Sequence, residues 1–299
     1  MKRREFIKTS ALGTMAMSLP LSRWQLFAQE NELPQAVIVR NGEPESLVSA
    51  TLQALGGIER FVQPGDKVLL KPNMAWDRGP AYAANTNPEV VAALTRLSLS
   101  AGAAEVRVLD RTCNEPRRCY RNSGIADAAT AAGAKVVQVR DNRYEDLELK
   151  GKVLDSWPIY KDYLEADKVI NIPIAKHHGM AKVSLGLKNL MGVMGGRRGM
   201  IHVKFADKMA DITQHIMPTL TVIDAYRMLM DNGPSGGDLE DVRMERTMIA
   251  SPCTVSADVL GLQLFGHSLS DIKQIDVAVK RGLALYDTSH LTVERIDLG

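Results

Sequence analysis

The sequence predicts an α/β fold, a mostly parallel sheet with helices on both faces and a small antiparallel insertion at one edge. Two observations lead to this prediction. From Gln35 onward, short runs rich in β-branched residues alternate with stretches of helical spacing, which is typical of a parallel sheet covered by helices. The chain has 299 residues and is 45% apolar, so it has enough non-polar material for a full core, and a disordered chain is excluded.

Six strands and three helices are predicted between residues 36 and 224. Asn87 and Pro88 have the residue types of an N-cap and a first helical position, so they mark the start of the second helix. Gly102 and Gly133 end the second and third helices. The strands are predicted at residues 36–40, 67–71, 105–110, 135–139, 168–173 and 220–224, and the helices at residues 45–55, 88–101 and 125–132.

Two regions interrupt the alternation. Residues 141–163 are charged and contain short alternating apolar pieces, which indicates an antiparallel excursion at one edge of the sheet. If residues 179–192 are helical, Lys182 and Lys188 lie on different sides, so that helix is wedged into the protein with at least one lysine in a pocket. The alternative is a surface helix whose long lysines reach solvent. No linker or repeat divides residues 31–299, which are predicted to form a single domain.

Residues 1–30 are predicted to be a twin-arginine export signal. Arg3 and Arg4 precede a Phe-Ile-Lys sequence and an apolar run at residues 11–21 that is too short to cross a bilayer. This interpretation makes the export machinery a partner and places the protein in the periplasm. The alternative is an amphipathic helix lying on the domain. Residues 26–28 lack the small residue expected three places before a cleavage site, so an uncleaved membrane anchor also stays open.

Charge and cysteine content exclude several classes of function. The first 28 residues hold five bases and one acid, and the remainder holds 32 bases and 34 acids. Without a basic excess no nucleic-acid partner is expected. Cys113, Cys119 and Cys253 match no zinc or iron–sulfur spacing, so no iron–sulfur cluster is expected. Cys113 and Cys119 are a candidate periplasmic disulfide with Cys253 free inside an apolar helix, and three unpaired thiols are the alternative. No GxGxxG follows a strand, so NAD is not expected either.

Polar residues recur where the predicted strands end. Ligands of open α/β sheets bind beyond the carboxyl ends of the strands. These strand-end residues are therefore expected to line one concavity. They are Lys71 and Asn73 after the second strand, Asp110 and Arg111 after the third, Lys176, His177 and His178 after the fifth, and Asp224 at the end of the sixth.

The chain resembles the DUF362 family through four motifs that occur in the family's order between about Val68 and about Gly266. The resemblance implies a bacterial or archaeal α/β protein, often exported with a twin-arginine leader, sometimes fused to a ferredoxin module, and without an agreed activity. The motifs are Lys71-Pro72-Asn73, residues 172–178, residues 186–192, and Ile223-Asp224 followed by residues 231–234.

The same resemblance implies a set of site residues and shows some departures. Ile174 stands where family members often have a second lysine, His177 stands where they often have threonine, and the ferredoxin cysteines are missing. An electron-transfer role through an iron–sulfur cluster is therefore not implied for this chain. The family pattern falls on Lys71, Asn73, Lys176, His178, Lys188, Asn189, Asp224, Asn232 and Gly233.

The first hypothesis for this rim is an anion site. Lys71, Lys176 and Lys188 would surround a carboxylate or phosphate, and crowding would lower the pKa of one lysine enough for it to act as a base or a Schiff-base nucleophile. These three lysines are the candidate catalytic residues. The candidate ligand-binding residues are Asn73, Lys182, Asn189, Arg197 (with Arg198 beside it), Asn232 and Gly233.

The second hypothesis is a divalent-metal site, either assisting an enzyme or serving a redox-associated protein. His177, His178 and His202 with Asp110 or Asp224 offer nitrogen and carboxylate ligands suitable for zinc, iron or another divalent ion, and only one of the two adjacent histidines is expected to bind it. A cation among lysines costs electrostatic energy, which favours the anion. A third possibility is a periplasmic binding or assembly factor that performs no chemistry. Whether the protein is an enzyme is left open by the sequence.

Overall fold

A ten-stranded sheet forms the centre of the protein in the computed structural model, which describes residues 33–299. Within this range, Pro34–Gly299 form one compact unit. The predicted leader at residues 1–30 lies outside the described residues. The strands are β1 (Ala36–Arg40), β2 (Lys67–Pro72), β3 (Glu105–Val108), β4 (Lys135–Val136), β5 (Tyr144–Glu148), β6 (Ser156–Tyr160), β7 (Lys168–Ile172), β8 (Ile174–His178), β9 (Lys182–Ser184), β10 (Leu220–Leu229), β11 (Val242–Ser251) and β12 (Val293–Asp297).

The strand order of the sheet is β12-β1-β11-β10-β7-β2-β3-β4, with β8 beside β10 and β9. The neighbours β7, β2, β3 and β4 pair in parallel, as do β10 with β7 and β1 with β12. The strand β11 is antiparallel to β1 and β10, and β9 is antiparallel to β8. The predicted mostly parallel α/β sheet is confirmed.

The predicted helices are confirmed to within one residue at each end. Asn87 begins the second of them because its side chain accepts a hydrogen bond from the backbone N–H of Glu89, and Pro88 occupies the first helical position. The helices of the described residues are α1 (Pro44–Ala54), α2 (Pro88–Ser100), α3 (Pro116–Asn122), α4 (Ile125–Ala131), α5 (Lys161–Leu164), α6 (Gly186–Asn189), α7 (Phe205–Thr213), α8 (Thr254–Leu262) and α9 (Lys273–Lys280).

Both faces of the sheet are covered, because alternate side chains of each strand enter different cores. Val37 and Val39 of β1 join one core with residues of α1, α2 and α4. Ala36 and Ile38 join a second core, which contains residues of α8 and α9. A third core lies under the hairpin of β5 and β6 and includes Leu69 of β2. The prediction of helices on both faces is therefore confirmed.

The antiparallel excursion is also confirmed, as a two-stranded sheet of β5 and β6. One expectation is wrong: residues 179–192 do not form a single helix. They contain the strand β9, the four-residue helix α6 and the 3-10 segment Leu190–Val193. The reason is tertiary, since β9 pairs with β8 and the buried carboxylate of Asp258 accepts the N–H groups of Gly186 and Leu187.

The cysteines follow the unpaired alternative. Cys113, Cys119 and Cys253 are all free, so the candidate disulfide between the first two is absent. Cys253 is the N-cap of α8 rather than a residue inside the helix, and its sulfur accepts from the backbone N–H of Ser256. Among the described residues, no helix is long and apolar enough to span a bilayer.

Candidate functional site

A cavity of about 640 Å³ opens beyond the carboxyl ends of β2, β3 and β8. That is a typical size for a small-molecule site. Its wall is formed by strand-end residues, by α6 and by the loop and 3-10 segment that follow α6. The lining residues with polar side chains or large apolar ones are Lys71, Asn73, Trp76, Asp110, Arg111, Thr112, Cys113, Lys176, His178, Met180, Ser184, Lys188, Asn189, Met191, Arg198 and His202.

Lys71 is fully buried at the base of the cavity and is already neutralised. Its Nζ lies 2.8 Å from Oδ1 of Asp110 and donates to the carbonyl of Pro72 and to Oδ1 of Asn189. Burial lowers the pKa of Lys71, and the Asp110 carboxylate opposes that shift. Because removing one partner of a buried ion pair leaves the other charge unpaired at a large cost in free energy, Lys71 and Asp110 stay paired with each other as part of the cavity wall.

Lys176 is equally buried, but oxygen atoms without a net charge surround it. Its Nζ donates to the carbonyl of Ala84 at 2.5 Å and to that of Pro234 at 2.9 Å, and lies 3.5 Å from Oδ1 of Asn73. It also lies 5.8 Å from the centre of the Trp76 ring. Burial, with a smaller contribution from Lys188, lowers the pKa of Lys176 to about 7.

Lys188 differs from both because it has no oxygen acceptor within the described residues. Its Nζ contacts the sulfur of Met191 at 3.5 Å and lies 5.5 Å from the centre of the Phe205 ring. Burial is the main cause that lowers its pKa, to about 8. An ammonium group next to a thioether and an aromatic ring is poorly solvated by the protein, so this amine can still accept an anionic partner.

Amide side chains connect the elements that carry the lysines. Oδ1 of Asn189 accepts from Lys71 and from Nδ2 of Asn73. Its Nδ2 donates to the backbone carbonyl of Lys71 and to Oδ1 of Asn171. Asn189 is thus fully used in joining α6 to β2 and β7, and we assign it a role in positioning the neighbouring Lys188.

Two glycines permit close approach of the backbone. A Cβ on Gly192 would lie 1.7 Å from Oδ1 of Asp110 and 2.5 Å from Nζ of Lys71, so only glycine fits above that ion pair. A Cβ on Gly233 would lie 2.0 Å from the carbonyl oxygen of His177. The need for Gly233 is therefore steric, and it explains this position without a ligand contact.

The histidine side chains lie at one side of the cavity. The rings of His178 and His202 have centroids 6.2 Å apart. Nδ1 of His178 accepts from the backbone N–H groups of Met180 and Ala181. Burial, followed by Lys188 and Lys176, lowers the pKa of His178 to about 3, and burial also lowers the pKa of His202.

The four proposed metal ligands are not gathered into a metal site, and residues 33–299 contain no group of three or more His, Cys, Asp or Glu side chains placed to hold an ion. Oδ2 of Asp110 accepts from the N–H of Met74, and its other oxygen pairs with Lys71. Asp224 is fully buried and accepts from the N–H groups of Asn87 and Tyr226, which leaves it outside the cavity wall. Its burial raises its pKa to about 6.

Four other expected positions also lie away from the cavity lining. One is His177, whose Nδ1 accepts from the backbone N–H of Gly233. Lys182 is exposed on β9, and Arg197 is exposed whereas its neighbour Arg198 lines the cavity. Asn232 is exposed and donates to Asp241. The structure does bring together Lys71, Asn73, Lys176, His178, Lys188, Asn189 and His202, as well as Gly233 and Asp110.

Sequence reasoning missed Trp76, Cys113 and Ser184 as lining residues. The Cys113 sulfur lies 3.2 Å from Nη2 of Arg198, whose guanidinium also donates to the carbonyls of Arg111 and Thr112. Ser184 stands two residues before the Gly186 that opens α6, and Trp76 three residues after Asn73. Closeness to these motifs is the signal that could have identified them.

The family model described as a domain of unknown function, DUF362, matches residues 68–263, which include the lysines, the asparagines and the histidines of the cavity. The chain belongs to the DUF362 family. This DUF362 protein is 31% identical over 235 residues to a thylakoid-associated protein of Synechocystis sp., covering 76% of this chain and 69% of that relative.

The fold of this DUF362 protein is similar to a solved structure of the lactate racemase apoprotein from Thermoanaerobacterium thermosaccharolyticum. The TM-score is 0.51 at 13% sequence identity, with 78% of this chain covered. The chain spans 58% of the length of that apoprotein. At this level of identity the likeness concerns the α/β fold alone.

Proposed function

We propose that the cavity of this DUF362 protein binds a small organic anion, a carboxylate or a phosphate ester, and that Lys188 is the principal charged contact. The observation that carries the proposal is the Lys188 ammonium, which lines the cavity without a carboxylate or any other oxygen acceptor in the described part of the chain. Binding of an anion lowers the free energy of an ammonium group in such surroundings.

The size and wall of the cavity support an organic body on the anion. A volume of about 640 Å³ greatly exceeds that of an inorganic phosphate, and typical sites of this size combine apolar walls with a few polar groups. Trp76, Met180 and Met191 supply apolar surface near the cationic end. The ligand is therefore an acid with a non-polar portion.

The proposal is tested with three probes of one shape and different charge: benzoate, phenyl phosphate and the neutral benzamide. Isothermal titration calorimetry is expected to show binding of one or both anions and none of benzamide. Lys188→Met should weaken anion binding by about ten- to a hundredfold, the effect of a charged hydrogen bond. Lys182→Met, at an exposed lysine outside the cavity, should leave the affinity unchanged.

Lys188→Arg separates a binding site from amine chemistry. A guanidinium keeps the positive charge and so should preserve anion affinity to within a few-fold, but it cannot act as a deprotonated amine. Equal benzoate binding by Lys188→Met and wild type, or equal binding of benzamide and benzoate, would contradict the proposal.

We also propose that residues 1–30 direct export by the twin-arginine route to the periplasm. The support is the sequence pattern of Arg3 and Arg4 before a short apolar run. Changing both arginines to lysine should retain the protein in the cytoplasm, as measured by cell fractionation. Unchanged fractionation of that double variant would contradict the export route and leave the cavity proposal untouched.

A further inference from the structure

His178 holds the turn between β8 and β9 with one ring nitrogen. Its Nδ1 accepts from the N–H of Met180 at 3.2 Å and from that of Ala181 at 3.3 Å. An imidazole nitrogen that accepts hydrogen bonds carries no proton, so the neutral ring has its proton on Nε2. The backbone of the turn therefore selects one tautomer.

The remaining nitrogen of His178 has no protein partner within residues 33–299, although the side chain is only 6% exposed and lines the cavity. Burial is the main cause that lowers the pKa of His178, and the charge of the neighbouring Lys188 is the second cause. The Nε2–H group therefore faces the cavity without a protein acceptor, and an oxygen of a bound ligand can accept its hydrogen bond.

We infer that His178 donates its Nε2–H to an oxygen of the bound anion and acts beside Lys188 as a neutral hydrogen-bond donor. The inference rests on the proposed function and refines its ligand class. The anionic head must present at least two acceptor oxygens, one for the ammonium and one for the imidazole, as carboxylates and phosphates do.

The same geometry argues against His178 as a metal ligand. A neutral histidine that binds a metal through Nε2 carries its proton on Nδ1. In this structure that proton would point toward the two backbone N–H groups of the turn. Metal binding through Nε2 would therefore require the turn to give up both hydrogen bonds.

Two substitutions distinguish a donor to the ligand from a residue that only holds the turn. Asparagine places an oxygen near the position of Nδ1 but has no group at the position of Nε2. Glutamine places its NH₂ group near Nε2 and loses the acceptor for the turn. His178→Asn is expected to keep a melting temperature close to wild type and to weaken benzoate binding about tenfold.

His178→Gln is expected to show the reverse pattern, with benzoate affinity within a few-fold of wild type and a lower melting temperature. If His178→Asn binds benzoate or phenyl phosphate as well as wild type does, the side chain only holds the turn and the inference is overturned. If neither anion binds the wild-type protein, the proposed function fails, and the donor role fails with it.

Nitrogen-15 NMR of the histidine rings provides a second readout that does not depend on the variants. The free protein should show His178 as the neutral Nε2–H tautomer at both pH 6 and pH 8, and benzoate should shift that Nε2–H resonance. An Nδ1–H tautomer, or a stoichiometric shift of the His178 nitrogens on addition of Zn²⁺ alone, would overturn the inference while leaving anion binding by Lys188 intact.

Discussion

Lys71, Lys176 and Lys188 carry the same amine but differ in what surrounds it. Lys71 has the Asp110 carboxylate at 2.8 Å, and Lys176 has two backbone carbonyls. Lys188 has a thioether and an aromatic ring. Since the free energy of an ammonium depends on the groups that replace its water, these three lysines have different roles. Lys71 and Lys176 hold the wall together, and Lys188 is available to a ligand.

The pH dependence of anion binding should follow Lys188. Its pKa of about 8 lies below the ordinary value because burial disfavours the charged form. The charged amine is present below this pH and is lost as the pH rises through it. Benzoate affinity should therefore fall about tenfold between pH 7 and pH 9, as the competent fraction falls. Calorimetric titration over this range measures the effect.

Lys188→Arg is the matched control for this profile, because a guanidinium stays charged throughout the range. Its benzoate affinity should be nearly constant between pH 7 and pH 9. If the benzoate affinity of Lys188→Arg still fell between pH 7 and pH 9, Lys176, with its pKa of about 7, would be the group that titrates. A flat wild-type profile would contradict the role of Lys188.

At the residue scale, the sequence predicted several of the residues that line the cavity. Lys71 and Asn73 reach the cavity because β2 ends at the same edge of the sheet as its parallel neighbours. Lys188 and Asn189 reach it from the helix α6. The interpretation of His178 as a metal ligand could not be settled from sequence, because the tautomer depends on the backbone of Met180 and Ala181.

At the scale of elements, the helix α6 carries Lys188, and its conformation depends on the carboxylate of Asp258, which is distant in the chain. Asp258 of α8 accepts from the N–H groups of Gly186 and Leu187 at 2.6 and 2.9 Å. A four-residue helix has too few internal hydrogen bonds to be stable by itself. The position of Lys188 therefore depends on Asp258, although Asp258 does not line the cavity.

Protonation of Asp258 should leave a signature in the stability of the protein. Burial raises its pKa from 3.8 to about 7, so between these values the folded chain holds a proton that the unfolded chain has released. The free energy of unfolding should fall as the pH rises through this interval. Asp258→Asn cannot ionise and should show a smaller decrease in urea unfolding measured at pH 5 and pH 8.

The control for this measurement is Asp276→Asn on α9, at a surface ion pair with Lys280, which should retain the wild-type difference between the two pH values. Parallel profiles for Asp258→Asn and wild type would show that Asp258 does not titrate in this interval.

Length alone did not make an element predictable from sequence, because the ten-residue strand β11 was not predicted and only residues 220–224 of the ten-residue β10 were. The helix α2 and the strand β2 show periodic apolar residues and clear end signals, and both were located to within a residue. The strand β9 has three residues and α6 has four, too few to show a period. Their conformation is decided by pairing with β8 and by Asp258, and neither is visible in the local sequence.

At the scale of the whole molecule, the sheet joins segments that are far apart in the chain. The strand β12 pairs in parallel with β1 from Ala36 with Val293 to Arg40 with Asp297. It forms one edge of the sheet. Val293 packs against the core that contains α8, and Ile296 against the core that contains α1. The carboxyl-terminal strand therefore closes both cores at this edge.

Deletion of residues 293–299 should destabilise the protein and expose β1 as an edge strand. Two apolar side chains lose their burial, and each contributes up to about 1.5–3 kcal/mol when fully buried. Exposed edge strands also favour self-association. Urea unfolding should show a loss of roughly 2 kcal/mol or more, and light scattering should detect aggregates.

Arg295→Ala is the control for the deletion, because Arg295 is an exposed residue of the same strand. It should leave both the stability and the light scattering as in wild type. A truncated chain that remained monomeric with an unchanged free energy of unfolding would show that β12 contributes little to the sheet.

The sequence by itself determined the α/β class, the mostly parallel sheet and the sheet edge at which Lys71 and Asn73 lie. These properties follow from residue periodicity and from the geometry of parallel strands, which are local or general rules. Tertiary structure decided which lysine is free, which histidine nitrogen holds a proton, and that Asp224 is buried away from the cavity. Such properties depend on neighbours from distant parts of the chain, whose distances set the local desolvation and hydrogen bonding.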